Sequence, residues 1–219
     1  RILSSAASDV YKRQIYSQSI DSNFTLVIDP GHGGKDPGNT GNGYLEKKIA
    51  LSIGLKIGER LKKYKNISVI YTRKTDVFVD LYRRAKIAND VKADLFISIH
   101  CDAHTSNAYG AGTFVLGLHA NERNFKIAQK ENSVIFLEDD YQQKYEGFDP
   151  NNPESVISLV LMQEDYLDKS IVAANFIQKS FVNRLKRRDR TVKQAGFLVL
   201  RNTFMPSVLV ETGFLTNKS

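Results

Sequence analysis

Three short apolar runs at regular distances constrain this chain more than any other feature. TLVID (25–29), ISVIYT (67–72) and DLFISIH (94–100) have the length and β-branched content of strands. The stretches between them have helical period. Ile49, Ile53, Ile57 and Leu61 recur every four residues within 45–64, and Leu81, Ala85 and Ala88 share one side of 79–91. Such alternation predicts parallel strands joined by right-handed crossovers. GTFVLGL (112–118), FLVL (197–200) and SVLVE (207–211) read as further strands, and a long helix is expected over about 154–186. The expected fold is α/β: a single domain with a mixed, mostly parallel sheet flanked by helices on both faces.

The core row of the first helix contains an anomaly. Three residues before Ile49, on the same stripe, stands Glu46. A carboxylate aimed at a protein interior is costly unless it is paired or binds a metal. A Gly-rich turn with a histidine, DPGHGGKDPG (29–38), precedes it, and a second histidine ends the run ADLFISIHCDAH (93–104). In open α/β sheets ligands collect at the carboxyl ends of parallel strands. His32 lies past the end of the first strand, His100 ends the third, and Glu46 opens the helix that starts on the same edge. His, Glu and His are a ligand set that catalytic zinc accepts, with a fourth position left to water. Glu211, ending VLVE, reaches that edge if its strand is parallel, where a carboxylate can shuttle protons for metal-assisted hydrolysis. GHGGKDPG lacks the Walker spacing of a phosphate loop. Asp102 is a candidate for a further metal oxygen or a supporting hydrogen bond. His104 reads as exposed in a polar loop, and His119 as a surface residue.

Composition narrows the classes. The chain has 219 residues, 42% hydrophobic, with 12 Phe and 10 Tyr, enough for a sizeable core. No stretch approaches the roughly 20 apolar residues that span a bilayer, so no membrane span is expected. The single cysteine, Cys101, excludes an internal disulfide, and alternation places it opposite His100 as a small buried residue. A net charge of +7 suits a polyanionic partner: nucleic acid, an anionic membrane or a cell-wall polymer. The dense basic run RLKRRDR (184–190) reads as a solvated helix end. No sheet face interleaves basic and aromatic residues as a nucleic-acid surface would.

Residues 1–23 are set apart: 1–14, RILSSAASDVYKRQ, resemble adaptor-derived sequence, and 15–23 suit the start of a mature exported protein. Residues 24–219 are expected to form one catalytic domain, truncated at its C-terminus. Residues 120–153 break the rhythm. ERNFKIAQKENSVIFLE suits a helix, whereas EDDYQQKYEGFDPNNP is acidic and turn-rich. Long excursions of this kind often serve as lids or binding loops.

Six ordered segments together resemble the zinc-dependent N-acetylmuramoyl-L-alanine amidases of the Amidase_3 type. They are VIDPGHGGKDPG, Glu46 of YLEKKIAL, YTRKTD (71–76), LYRRAKIAN (81–89), ADLFISIHCDA (93–103) and KQAGFLVLRNTFMPSVLVETGFLTN (193–217). The resemblance covers residues 25–217. It implies an amidase- and phosphorylase-like sheet, and Zn2+ held by His32, Glu46 and His100 with Glu211 as catalytic carboxylate. The implied reaction hydrolyses the amide between N-acetylmuramic acid and L-alanine in peptidoglycan, in an exported, periplasmic or cell-envelope enzyme that acts as a monomer. The insertion at about 120–168 resembles that of division amidases, in which a helix sets a carboxylate on the zinc until an activator protein removes it. Glu131 is the best match for that carboxylate, and Glu138 and Glu164 are the other candidates. Arg84 reads as an ion-pair partner of a carboxylate near the site. Two departures stand out: no helix follows the last motif, and the second histidine motif reads His100-Cys101-Asp102 where Ala usually follows the His. The rival readings are a catalytically silent peptidoglycan-binding module of the same fold and, on charge alone, a nucleic-acid-binding protein.

Overall fold

The computed structural model describes residues 23–118, 121–156 and 164–218. The readings of residues 1–22 and of His119 lie outside the described residues. One six-stranded sheet organises the rest, in the order β4-β1-β5-β8-β6-β7. Its strands are β1 (Phe24–Pro30), β4 (Ile67–Tyr71), β5 (Leu95–Asp102), β6 (Ala111–Leu116), β7 (Asp189–Ala195) and β8 (Ser207–Phe214). A two-residue hairpin, β2 (Thr40–Gly41) and β3 (Tyr44–Leu45), stands apart. β4, β1, β5 and β8 are mutually parallel, β6 is antiparallel to β8, and β7 is parallel to β6. The sheet is therefore mixed and mostly parallel, as expected.

Alternation along the strands sends apolar side chains to both faces. Val27, Phe96, Phe114 and Leu209 join a core with Ala88 of α2 (Leu81–Asp90), Ala128 of α3 (Glu122–Asn132) and Leu200 of α6 (Leu198–Arg201). Leu26, Ile28 and Ile99 face α1 (Glu46–Leu61), while Val115, Val208 and Val210 face α5 (Glu164–Asn183). A short α4 (Tyr141–Lys144) lies in the insertion, between two 3-10 turns, Ser133–Leu137 and Pro153–Val156. Both sheet faces are covered, as continuously apolar parallel strands require.

Three local expectations need correction, and one strand was not expected. The most buried row of α1 is Glu46, Ala50, Gly54 and Gly58, and the isoleucines flank it half-buried. The helix lies so close to the sheet that a Cβ on Gly58 would come 1.6 Å from the Tyr71 hydroxyl oxygen. FLVL is not a strand. Leu198, Val199 and Leu200 are all buried in one helical turn, and a short apolar run cannot by itself distinguish the two. The long helix begins, among the described residues, at Glu164 and ends at Asn183. β7, DRTVKQA, has no hydrophobic alternation because it is an edge strand that, among the described residues, pairs only with β6.

Candidate active site

The loop after β1 is shaped by close contacts. A Cβ on Gly31 would lie 2.5 Å from His100 Cε1. Gly38, at φ +66, would place one 2.6 Å from His32 Cδ2 and 2.8 Å from Glu46 Oε2. Two buried arginines hold the loop's carbonyls. Arg84 donates from Nη1 to Asp29 Oδ1 (2.7 Å) and Pro30 O (2.9 Å), and from Nη2 to His32 O (2.9 Å). Arg73 donates to Pro30 O (2.9 Å) and Gly31 O (2.7 Å). Arg84 is thus the structural ion-pair partner expected, and its carboxylate is Asp29.

Four side chains from four elements meet above this loop. His32 Nε2 lies 3.2 Å from Glu46 Oε2 and 3.1 Å from Glu131 Oε2. His100 Nδ1 lies 3.2 Å from Glu46 Oε1 and 3.0 Å from Glu131 Oε2. One ligand atom from each of the four falls within 4.8 Å of all the others, a grouping able to hold a metal ion. Glu46 is fixed by three hydrogen bonds. Its Oε2 accepts from Asn39 N and Nδ2, and its Oε1 from Cys101 N, each at 2.7 Å. α1 has no side-chain cap; its first amides bond instead to Asn39 O and Pro37 O.

The hydrogen bonds assign both histidine tautomers. His32 Nδ1 is 2.7 Å from Asp36 Oδ2, so it donates there and leaves the Nε2 lone pair free. Ser98 gives its one proton to Asp29, so it accepts from His100 Nε2 at 3.1 Å and leaves the Nδ1 lone pair free. His32 Nε2, His100 Nδ1 and Glu131 Oε2 are buried, lack hydrogen-bond geometry and aim at a common centre. Donors arranged in this way suit a divalent cation, as does the Asp36–histidine bond that orients a ligand from behind.

The electrostatics demand positive charge at that centre. Burial lowers His32 and His100, but the Glu46 and Glu131 carboxylates outweigh it, holding His32 well above its ordinary value and His100 at about 10. Burial raises both carboxyls, and the histidines outweigh it, bringing Glu131 to about 2 and Glu46 well below its ordinary value. Protons on the imidazoles, or a metal in their place, satisfy the same field.

Glu211 lies beside His100 in the register of β5 and β8. It is 4% exposed, and neither carboxyl oxygen has a partner. Burial, then Asp102, Glu46 and Glu131, push its carboxyl well above the ordinary range. A carboxyl whose proton affinity is raised in this way holds a proton that an ordinary surface acid would release, which suits general acid–base work.

The structure brings together His32, Glu46, His100, Glu131 and Glu211. It leaves Asp102 outside the four-residue group, where its Oδ1 accepts from Ala103 N at 2.7 Å. Glu138 does not face the cluster: its carboxylate accepts from Leu81 N (2.9 Å) at the start of α2 and from the Tyr145 hydroxyl (2.8 Å). The side chain of Glu164 lies outside the described residues. His104 is exposed and Cys101 is buried. The sequence reading missed Asp36, Asn39, Arg73 and Ser98. Asp36 alone left a signal, an acid four residues after His32 in the glycine turn.

The N-acetylmuramoyl-L-alanine amidase family model matches residues 26–219. The chain belongs to that family. The amidase AmiA of Escherichia coli K12 is 36% identical over 196 residues, which are 88% of this chain and 66% of AmiA. The amidase LytC of Bacillus subtilis is 32% identical over 201 residues, 89% of this chain and 30% of LytC. The chain therefore spans less than two thirds of the length of these relatives. Among solved structures, an N-acetylmuramoyl-L-alanine amidase from Clostridium difficile 630 superposes with a TM-score of 0.64 at 29% identity, covering 89% of this chain and 82% of that one. Against this amidase frame, the His/Glu cluster occupies the carboxyl edge of the parallel strands β1, β5 and β8, where α/β folds place their ligands.

Proposed function

We propose that this chain is a zinc-dependent amidase that hydrolyses the amide between N-acetylmuramic acid and L-alanine of peptidoglycan, acting in the cell envelope. One observation carries the reading: two histidines with assigned free lone pairs and the buried Glu46 converge on one point, with the unpartnered Glu211 alongside. His32, Glu46 and His100 are the ligands, within one catalytic unit of residues 24–219. Zinc bound there would polarise the scissile carbonyl and make a bound water more acidic. Glu211 takes the proton of the attacking water and delivers it to the alanine nitrogen as the carbon–nitrogen bond breaks. Among the described residues, no helix is long and apolar enough to cross a membrane.

Glu131 takes the remaining position and acts as an inhibitory lid residue. It reaches the cluster from α3, with its Oε2 3.1 Å from His32 Nε2 and 3.0 Å from His100 Nδ1. A groove of about 400 Å³, lined by Asp102, His104, Arg123 and Lys130, lies just outside. Displacing α3, by a partner protein or by substrate, must break the bonds of Asn132 to Gly196 O (2.7 Å) and Leu198 N (2.9 Å). The rest of the insertion is rooted in a core of Ile135, Tyr145, Phe148 and Leu198.

Elemental analysis tests the ligand set. Wild type is expected to retain one zinc per chain after mild chelation and Glu46→Gln to lose it. A Gln variant that keeps full zinc would remove Glu46 from the set.

A further inference from the structure

The end of the basic run 184–190, read from sequence as a solvated helix end, runs into β7 and returns to the site. Arg190 and Lys193 lie on β7, and Arg123 on α3 comes close enough that its charge lowers the proton affinity of both. Burial, then Arg123 and Arg190, bring the Lys193 ammonium down to about 8. No described carboxylate lies within ion-pair reach of any of the three. The acids that Lys193 senses are Glu211 and Asp102. Gathering like charges without partners costs free energy, and an anionic ligand recovers it.

The position is specific. Lys193 Nζ lies 3.2 Å from where a Cβ on Gly112 would be, and so does Arg190 Cβ. Gly112 is the β6 partner of Glu211, and cross-strand partners point to the same face. Lys193 therefore passes over a bare glycine towards Glu211, with its ammonium 4.9 Å from the Phe114 ring centroid. Arg190 is steadied by its Nε bond to Tyr109 O (2.9 Å) and by the Phe214 ring at 4.9 Å.

We propose that Arg190 and Lys193, joined by Arg123 when α3 is in place, form a subsite for a carboxylate of the substrate's peptide. The inference rests on the amidase reading. Glu211 gives its proton to the alanine nitrogen, so the peptide side of the scissile bond lies next to Glu211 and these cations. The ligand class is a stem peptide with a free carboxylate one residue beyond the alanine. Neither residue is catalytic; both position the peptide.

The test uses the full, zinc-loaded chain carrying Glu131→Ala, which leaves the centre open. Two N-acetylmuramoyl dipeptides are compared, one with a free α-carboxylate on the second residue and one with that group as a carboxamide. The parent should favour the carboxylate by about tenfold in kcat/KM, mainly through KM, the size of one charge-assisted hydrogen bond. Lys193→Met and Arg190→Gln should each pull that ratio towards one, and Lys193→Arg should keep it. Equal kcat/KM for the two peptides in the parent overturns the subsite alone. Variants that lower both peptides equally, with the ratio intact, also overturn it, since that is a structural effect. A parent that cleaves neither peptide overturns the amidase reading and the subsite with it.

Discussion

Replacing Arg84 with Met tests how the loop that carries His32 is held. The Arg84–Asp29 pair has an N–O distance of 2.7 Å and side-chain exposures of 2% and 0%. Without the guanidinium, the Asp29 carboxyl stays buried with only the Thr72 and Ser98 hydroxyls. Its escape is to bind a proton. At pH 7 that costs about 1.4 kcal/mol for each unit above the ordinary value near 3.9, roughly 4 kcal/mol. This agrees with the ~3–5 kcal/mol typical of a buried pair that loses one partner. For a domain of this size, about 4 kcal/mol lowers Tm by about 8–16 °C. The pH dependence fixes the sign. In wild type, burial raises the Asp29 carboxyl, and Arg84 with the two hydroxyls outweighs it, so the folded value is depressed. That stabilisation is present above the unfolded value and is lost as pH falls through the folded one. In the variant the folded value is raised. Its penalty is full at pH 7 and shrinks by about 1.4 kcal/mol per unit as pH falls towards 3.9. Thermal unfolding followed by circular dichroism should therefore show the Tm gap at pH 5 reduced to about a third of that at pH 7. A gap below about 2 °C, or one that does not change with pH, would refute the reasoning. The double variant Arg84→Met/Asp29→Asn should recover part of the loss.

Two further outcomes concern the chemistry. Glu211→Gln should keep its metal and its melting temperature but lose about 10²–10⁴-fold in hydrolysis, the usual contribution of a general acid–base group; a rate within about twofold of wild type, measured by release of stem peptide, would remove Glu211 from the mechanism. Glu131→Ala should raise the rate on purified peptidoglycan in the absence of any partner protein, because each ~1.4 kcal/mol removed from the closed state is tenfold in population; an unchanged or lower rate in a folded, zinc-loaded variant would make α3 a substrate-binding or inert element.

Much of the frame was legible because periodicity and topology are written locally. Glu46 stood out as a polar residue on an apolar row, and the strand ends placed His32 and His100 on one edge. The exact row was not legible, since α1 buries Ala50, Gly54 and Gly58 more deeply than its isoleucines. That depth depends on close approach to Tyr71 and Ile28 from other elements. Asn39, Arg73 and Ser98 escaped notice for a related reason. Each is an ordinary polar residue in sequence, and its role comes from a bond to a group 42 to 69 positions away. Asn39, for example, matters because it donates twice to Glu46. FLVL was misread because four apolar residues fit a strand or a buried helical turn equally well; only Phe197 and the sheet beneath decide. β7 was invisible because an edge strand over a cationic rim needs no alternating hydrophobic pattern.

The central claim is that the His32, Glu46 and His100 centre, loaded with zinc, cuts the bond between muramic acid and alanine. Product analysis on purified muropeptides, with metal-loaded, chelated and zinc-restored protein in parallel, tests it most directly. The account expects intact N-acetylmuramic acid and a peptide beginning with free L-alanine, lost on chelation and regained with zinc. Cleavage at another bond, or cleavage indifferent to chelation, would contradict it, and binding to peptidoglycan without any product would make the chain a silent wall-binding module.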